Sequence, residues 1–171
     1  PKTCHCKNIL HSGNIDNFKG CTVIEGSVRV LDQTFLGYQD IYANYSMGPR
    51  YISMHPDRLE VFSTVKEITG YLDIEGAHPD FKNLSYFRNL EIIHGRQLME
   101  SYFASLSIVK SSLESLELRS LKRINSGAVV IQQNDKVCYV GDIDWQKIQK
   151  SKEHGVVIAK NRNETECSKY L

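Results

Sequence analysis

The chain has 171 residues, 41% of them apolar, with 21 basic against 20 acidic side chains and five cysteines. That is enough apolar material for one packed domain over 1–171. The charges nearly cancel and no Lys/Arg run occurs, which argues against nucleic acid or an anionic membrane as main partner; no apolar run approaches the roughly 18 residues of a membrane span.

The chain opens on Pro1-Lys-Thr-Cys4 and not on a signal peptide, as expected of a mature fragment cut from something longer. Cys4, Cys6 and Cys21 lie near the start, and Cys138 and Cys167 near the end. The simplest pairing is local, Cys4 with Cys21 and Cys138 with Cys167. Cys6 with Cys21 is the rival, and an odd cysteine can also bond to a neighbouring module. Closing loops of this size is worth about 3 kcal/mol. A zinc site from Cys4, His5, Cys6 and His11 is disfavoured, because C-H-C lacks the two-residue gap that brings two thiolates to one ion.

Residues 8–20 are polar and predict a turn or a single helical turn. Then comes a pattern that recurs: an isoleucine, a glycine two or three places on, and apolar residues at every second position. The copies are Ile24, Gly26, Val28, Val30; Ile68, Gly70, Leu72, Ile74; and Ile124, Gly127, Val129, Ile131. An imperfect copy at Ile93 and Gly95 has Gln97 where an apolar residue is due. The spacings are 44, 25 and 31 residues. Each unit reads as one rung, a short strand that buries its apolar row only by stacking on the next, the logic of a solenoid. The alternative is an ordinary α+β domain whose strands are similar by chance.

Between rungs, residues 32–56 lack periodicity and predict a long connection. Asp57 predicts a helix cap for 57–61. Phe81, Leu84 and Phe87 predict helical turns packed on the solenoid side. Residues 97–103 read as a polar excursion, after which Leu106 and Ile108 resume the alternation and Leu116 and Leu118 continue it in a next strand. Gln133-Asn134-Asp135 reads as a turn, and Asp144-Trp145 as a closing helical turn whose indole covers the end of the core. Asn44-Tyr-Ser46, Asn83-Leu-Ser85 and Asn163-Glu-Thr165 are glycosylation sequons, and three of them beside paired cysteines point to a secreted protein or ectodomain. HExxH, GxSxG, GxxxxGK and GxGxxG are all absent. With no cofactor or metal implied, the balance favours a binding module over an enzyme.

Thr64-Val-Lys-Glu-Ile-Thr-Gly70, Phe87-Arg-Asn-Leu-Glu-Ile-Ile-His-Gly95, Leu118-Arg-Ser-Leu-Lys122, Val137-Cys-Tyr139, Ile143-Asp-Trp145 and Asn161-Arg162 together resemble the second receptor L domain, domain III, of the epidermal growth factor receptor family. Asn44-Tyr-Ser-Met-Gly-Pro-Arg50 and Arg96-Gln-Leu-Met-Glu-Ser101 are similar to the insect branch. The resemblance covers practically the whole chain; Cys6 departs from the family pattern. It implies a right-handed β-helix clamped by end disulfides, on the extracellular face of the plasma membrane, in a single-pass receptor tyrosine kinase whose kinase lies elsewhere. The partners it implies are an EGF-like growth factor held jointly with domain I, the neighbouring domains II and IV, and a second receptor in a dimer. A secreted decoy, an insulin-receptor-like L domain and a structural adhesion repeat are the alternatives. Outward positions Ser27, Arg29, Leu31, Tyr71, Asp73, Glu75, Ala128, Val130 and Gln132 would form one broad surface. Family ligand contacts map to Asp73, Glu75, Val130 and Gln132 on it, and to Gln33, Phe103 and Val109 beside it; Asp40 is a further candidate in the long connection. Phe103, Val109 and Val130 would form an apolar patch, with Asp73 and Glu75 favouring a cationic ligand residue.

Overall fold

The computed structural model describes residues 1–7 and 9–167. Its strands are β1 Thr3–Cys6, β2 Val23–Gly26, β3 Val28–Val30, β4 Tyr38–Ile41, β5 Met47–Tyr51, β6 Glu67–Ile68, β7 Leu72–Ile74, β8 Ile92–Ile93, β9 Ala104–Val109, β10 Arg123–Ile124, β11 Ala128–Gln132 and β12 Val156–Ala159. Two short α-helices, α1 Asp32–Leu36 and α2 Trp145–Ile148, and several 3-10 turns complete the described chain.

Two five-stranded sheets, both entirely parallel, carry the repeat. One runs β1-β2-β6-β8-β10 and the other β12-β11-β9-β7-β3. The isoleucines of the four copies form one column of partners, Ile24 with Ile68, Ile68 with Ile93 and Ile93 with Ile124, all fully buried. In the second sheet Val28, Leu72, Leu106 and Val129 form one buried row and Val30, Ile74, Ile108 and Ile131 another; Val156 and Ile158 of the last strand continue them, partly buried and 40% exposed respectively. A parallel sheet pairs like with like because each strand enters at the same place, so a repeated sequence pattern becomes a column.

The glycine of each copy marks the corner where the chain leaves the first sheet for the second. Gly70 donates its N–H to Gly26 O at 2.8 Å, and Gly95 donates to Gly70 O at 3.0 Å. A Cβ at Gly70 would run into Gly26 O and the Ser27 hydroxyl, and Gly95 sits at φ +67° beneath Ser126 O, so a side chain fits at neither.

A third side is made of turns. The 3-10 segments Ile15–Phe18, Pro56–Thr64 and Ser85–Phe87 stack their aromatics from rung to rung, with ring centroids 5.3 Å apart for Phe18 and Phe62 and 5.0 Å for Phe62 and Phe87. Phe81, Leu84 and Phe87 are wholly buried, as their three-residue spacing predicts. Each such side chain contributes roughly 1.5–3 kcal/mol of transfer free energy. Disulfides join Cys4 to Cys21 and Cys138 to Cys167, each with a Cα separation of 5.9 Å; Cys6 is buried and belongs to neither bridge. Trp145 is buried in α2, capped by Asp144, and its indole N–H donates to Val140 O at 3.0 Å.

Several expectations need correction. The connection 32–56 is α1 followed by an antiparallel hairpin, β4 with β5. The turn near Asp57 begins earlier and is 3-10, capped by His55, whose Nδ1 accepts from Asp57 N at 3.1 Å. Leu116 and Leu118 are buried but lie in no strand; the segment is pinned by Leu84 N donating to Leu116 O at 2.9 Å. The turn read at 133–135 falls at 135–136, and Asn134 just before it is wholly buried: its amide donates to Ile108 O, Gln132 O and Asn161 Oδ1, while its Oδ1 accepts from Ser111 N and Oγ. Strands β1 and β12 extend the two sheets by one rung at each end, beyond the copies legible in the sequence.

Candidate functional site

Side chains that point out from the second sheet form a row across the rungs: Arg29, Asp73, Ser107, Val130 and Val157 are successive partners. The next outward row holds Val109 and Gln132, which are paired, with Glu75 following directly on the Ile74–Ile108 pair. Phe103 stands just before β9, its carbonyl accepting from Ala128 N at 2.9 Å. Gln33 lies exposed on α1, and Asp40 lies half-buried on β4, where the Tyr51 hydroxyl reaches its Oδ2 at 3.5 Å.

This face is not the open surface that alternation implies. Asp73 is wholly buried, Val130 is 1% exposed, and Ser27 and Ala128 are also buried. The segment 97–101 folds back over the sheet: Met99 packs with Ala104, Ala128, Val130 and Val109 in a satellite cluster, and the Ser27 hydroxyl donates to Gln97 Oε1 at 2.9 Å. The expected apolar patch is therefore divided. Val130 lies beneath the excursion, and Phe103 and Val109 stand at opposite ends of β9, roughly 20 Å apart at about 3.3 Å per residue. Phe103 is 61% exposed beside exposed Tyr102, and both have left-handed backbone, at φ +52° and +60°. Two consecutive aromatic residues in that region are costly and mark a segment held in place by its surroundings.

The acidic pair is also not free to meet a ligand cation. Asp73 Oδ2 lies 3.3 Å from Arg29 Nε, and Glu75 Oε2 lies 3.9 Å from the same guanidinium. Burial, followed by the neighbouring Glu75 carboxyl, pushes Asp73 up to about 8 against the pull of Arg29. Asp73 Oδ1 has no hydrogen-bond donor. Beside this cluster an open groove of about 560 Å³ runs between Lys7, Arg29, Tyr38, Tyr71 and Gln97.

Arg29 as the partner of Asp73, exposed Val157 at the end of the row, and the tyrosines of the hairpin escape sequence reasoning. Arg29 had a signal, because it occupies in the first copy the position Asp73 holds in the second. Among the described residues no group of three or more His, Cys, Asp or Glu side chains could hold a metal ion, and Cys4 is committed to a disulfide. The sequons differ in setting: Asn44 and Asn163 are exposed and Asn83 half-buried. In all three the Asn Oδ1 accepts the backbone N–H two residues on.

Residues 20–149 match the model of the Receptor L domain family. Over 99% of its length the chain is 65% identical to the epidermal growth factor receptor of Drosophila melanogaster and 60% identical to that of Apis mellifera. Over 93% of its length it is 36% identical to the receptor of Gallus gallus. It spans only 12%, 13% and 21% of those relatives respectively.

Proposed function

The chain belongs to the receptor L domain family, and on that premise we propose that it is the extracellular ligand-binding domain III of an epidermal growth factor receptor of insect type. In this reading residues 1–171 form one domain, a right-handed β-helix; the all-parallel sheets and short crossings between them support that hand. The domain holds an EGF-like growth factor jointly with domain I, next to domains II and IV, in a single-pass receptor that dimerises and whose kinase lies outside this chain. Asn44, Asn83 and Asn163 are its glycosylation sites.

The observation that carries the reading is the strip Glu75, Val109 and Gln132, accessible on three adjacent rungs of one sheet face, with exposed Phe103 at the opposite end of β9. Mixed apolar and polar side chains on a rigid sheet suit a protein ligand better than a small molecule. Gln33 and Asp40 extend the site toward the hairpin. Asp73 acts beneath it, by fixing Arg29 and Glu75, and Val130 by supporting the excursion. Titration of an EGF-like growth factor against this chain and against the parent ectodomain tests the proposal. Saturable binding that Phe103→Ala or Gln132→Ala weakens tenfold, about 1.4 kcal/mol, with unchanged thermal stability supports it. Full affinity in both folded variants would move the site to another face.

A further inference from the structure

The hairpin of β4 and β5 is held to the domain through three consecutive residues, His11-Ser12-Gly13. His11 is only 5% exposed, and its ring lies flat on Tyr51, with centroids 3.8 Å apart and planes 13° apart. Tyr38, from the other strand, lies parallel to the same ring at 5.3 Å. Ser12 Oγ donates to Ile52 O at 2.8 Å. Gly13 leaves the space that the Tyr51 ring fills, since a Cβ there would fall on that ring.

The imidazole is committed to one protonation state. Gly13 N donates to His11 Nδ1 at 3.0 Å, so Nδ1 is an acceptor and the neutral ring carries its proton on Nε2. A second proton would have to enter at Nδ1, against that N–H. The groups facing the ring are the phenols of Tyr38 and Tyr51 and, electrostatically, the Asp40 carboxylate from the hairpin, with Asn14, whose Oδ1 accepts from His11 N at 3.0 Å, in its own loop. Asp40 and the aromatic faces favour an imidazolium. Burial opposes it and wins, so His11 lies below its ordinary value of 6.5.

We propose that His11 is the positioning residue for the β4–β5 hairpin, holding it while neutral and releasing it when the ring is protonated. The sign follows from linkage. A histidine whose folded value is lowered contributes its full stabilisation above about 6.5 and loses it as pH falls through the lower folded value. Asp40 lies two residues beyond Tyr38 and moves with the hairpin. Its use toward a growth factor rests on the reading above, whereas the latch itself does not.

Hydrogen exchange on the ligand-free chain separates the two. Protection of the amides of residues 39–41, 47, 48, 50 and 51, corrected for intrinsic exchange, is compared with that of β7 and β9 at pH 7.5 and 5.0 for wild type, His11→Phe and His11→Ala. In wild type the hairpin loses about tenfold in protection at pH 5.0 while β7 and β9 keep theirs. His11→Phe retains a stacking ring without a titrating nitrogen and abolishes the pH dependence; His11→Ala loosens the hairpin at both pH values. Unchanged wild-type protection, or acid loosening that persists in His11→Phe, overturns the proposal. Should His11→Phe fail to fold, the wild-type ring titration by NMR decides: hairpin shifts that move with the His11 midpoint support the latch, and shifts that move independently overturn it.

Discussion

Arg29 and Asp73 stand directly opposite each other on β3 and β7, Nε to Oδ2 at 3.3 Å, with the carboxyl wholly buried and the guanidinium partly in solvent. The face proposed for ligand binding thus has its acidic group turned inward, and the charge it presents outward belongs to Arg29 and Glu75.

Asp73 sets a pH dependence. Its folded value, about 8, lies above the unfolded 3.8, so its contribution is complete below about pH 4 and is lost as pH rises through 8. Asp73→Asn keeps the shape without the titration. Its thermal midpoint should match wild type below about pH 4 and exceed it at pH 9 by several degrees, for a difference of a few kcal/mol. A variant whose midpoint falls behind at pH 9 would show that Asp73 works as an ionised partner of Arg29.

Register predicts a second contrast. Leu72→Asp or Ile74→Asp places an unpaired charge at a fully buried position and costs several kcal/mol. Val130→Asp should be nearly as damaging, since Val130 lies under Met99 despite its outward position. Tyr71→Ala and Glu75→Ala should change denaturation midpoints little. Equal sensitivity across the two sets would contradict the register.

Alternation made the inward rows readable: Ile24, Ile68, Ile93 and Ile124 are a column in the sequence before they are one in space. The outward rows were not readable, because a polar residue at an outward position looks the same whether water or another segment lies over it. Nothing in Asp73 announces burial, and the excursion that covers Val130 is polar at Arg96, Gln97 and Glu100, like any loop. The hairpin was missed because β5 contains Gly48 and Pro49, which punctuate strands; only an edge position with no ladder to complete on one side tolerates them.

Phe103 offers a test of strain against use. Its left-handed backbone costs roughly 1–2 kcal/mol, which glycine does not incur. Phe103→Gly should therefore keep or slightly raise thermal stability while lowering growth-factor affinity tenfold or more. A clear fall in stability would mean that the ring, near His154 at 6.2 Å, holds the excursion in place.

The Cys138–Cys167 bridge closes a 29-residue separation that includes β12. Cys138→Ser should cost about 3–4 kcal/mol, with hydrogen exchange rising first in 156–159 and last in β6 and β7. Uniform loss of protection would show that the sheets unfold as one unit.

The isoleucine column has a consequence for how such a chain changes over time. Strands that pair by position in the rung, with their glycine corners one above another, impose no common length on the segments between them. Spacings of 44, 25 and 31 residues coexist in one regular stack. A spacer can therefore be long, as 32–56 is with its helix and hairpin, without shifting any neighbour's register. The rungs act as fixed sockets and the spacers as exchangeable inserts, so recognition can be rebuilt one loop at a time on a frame that need not refold.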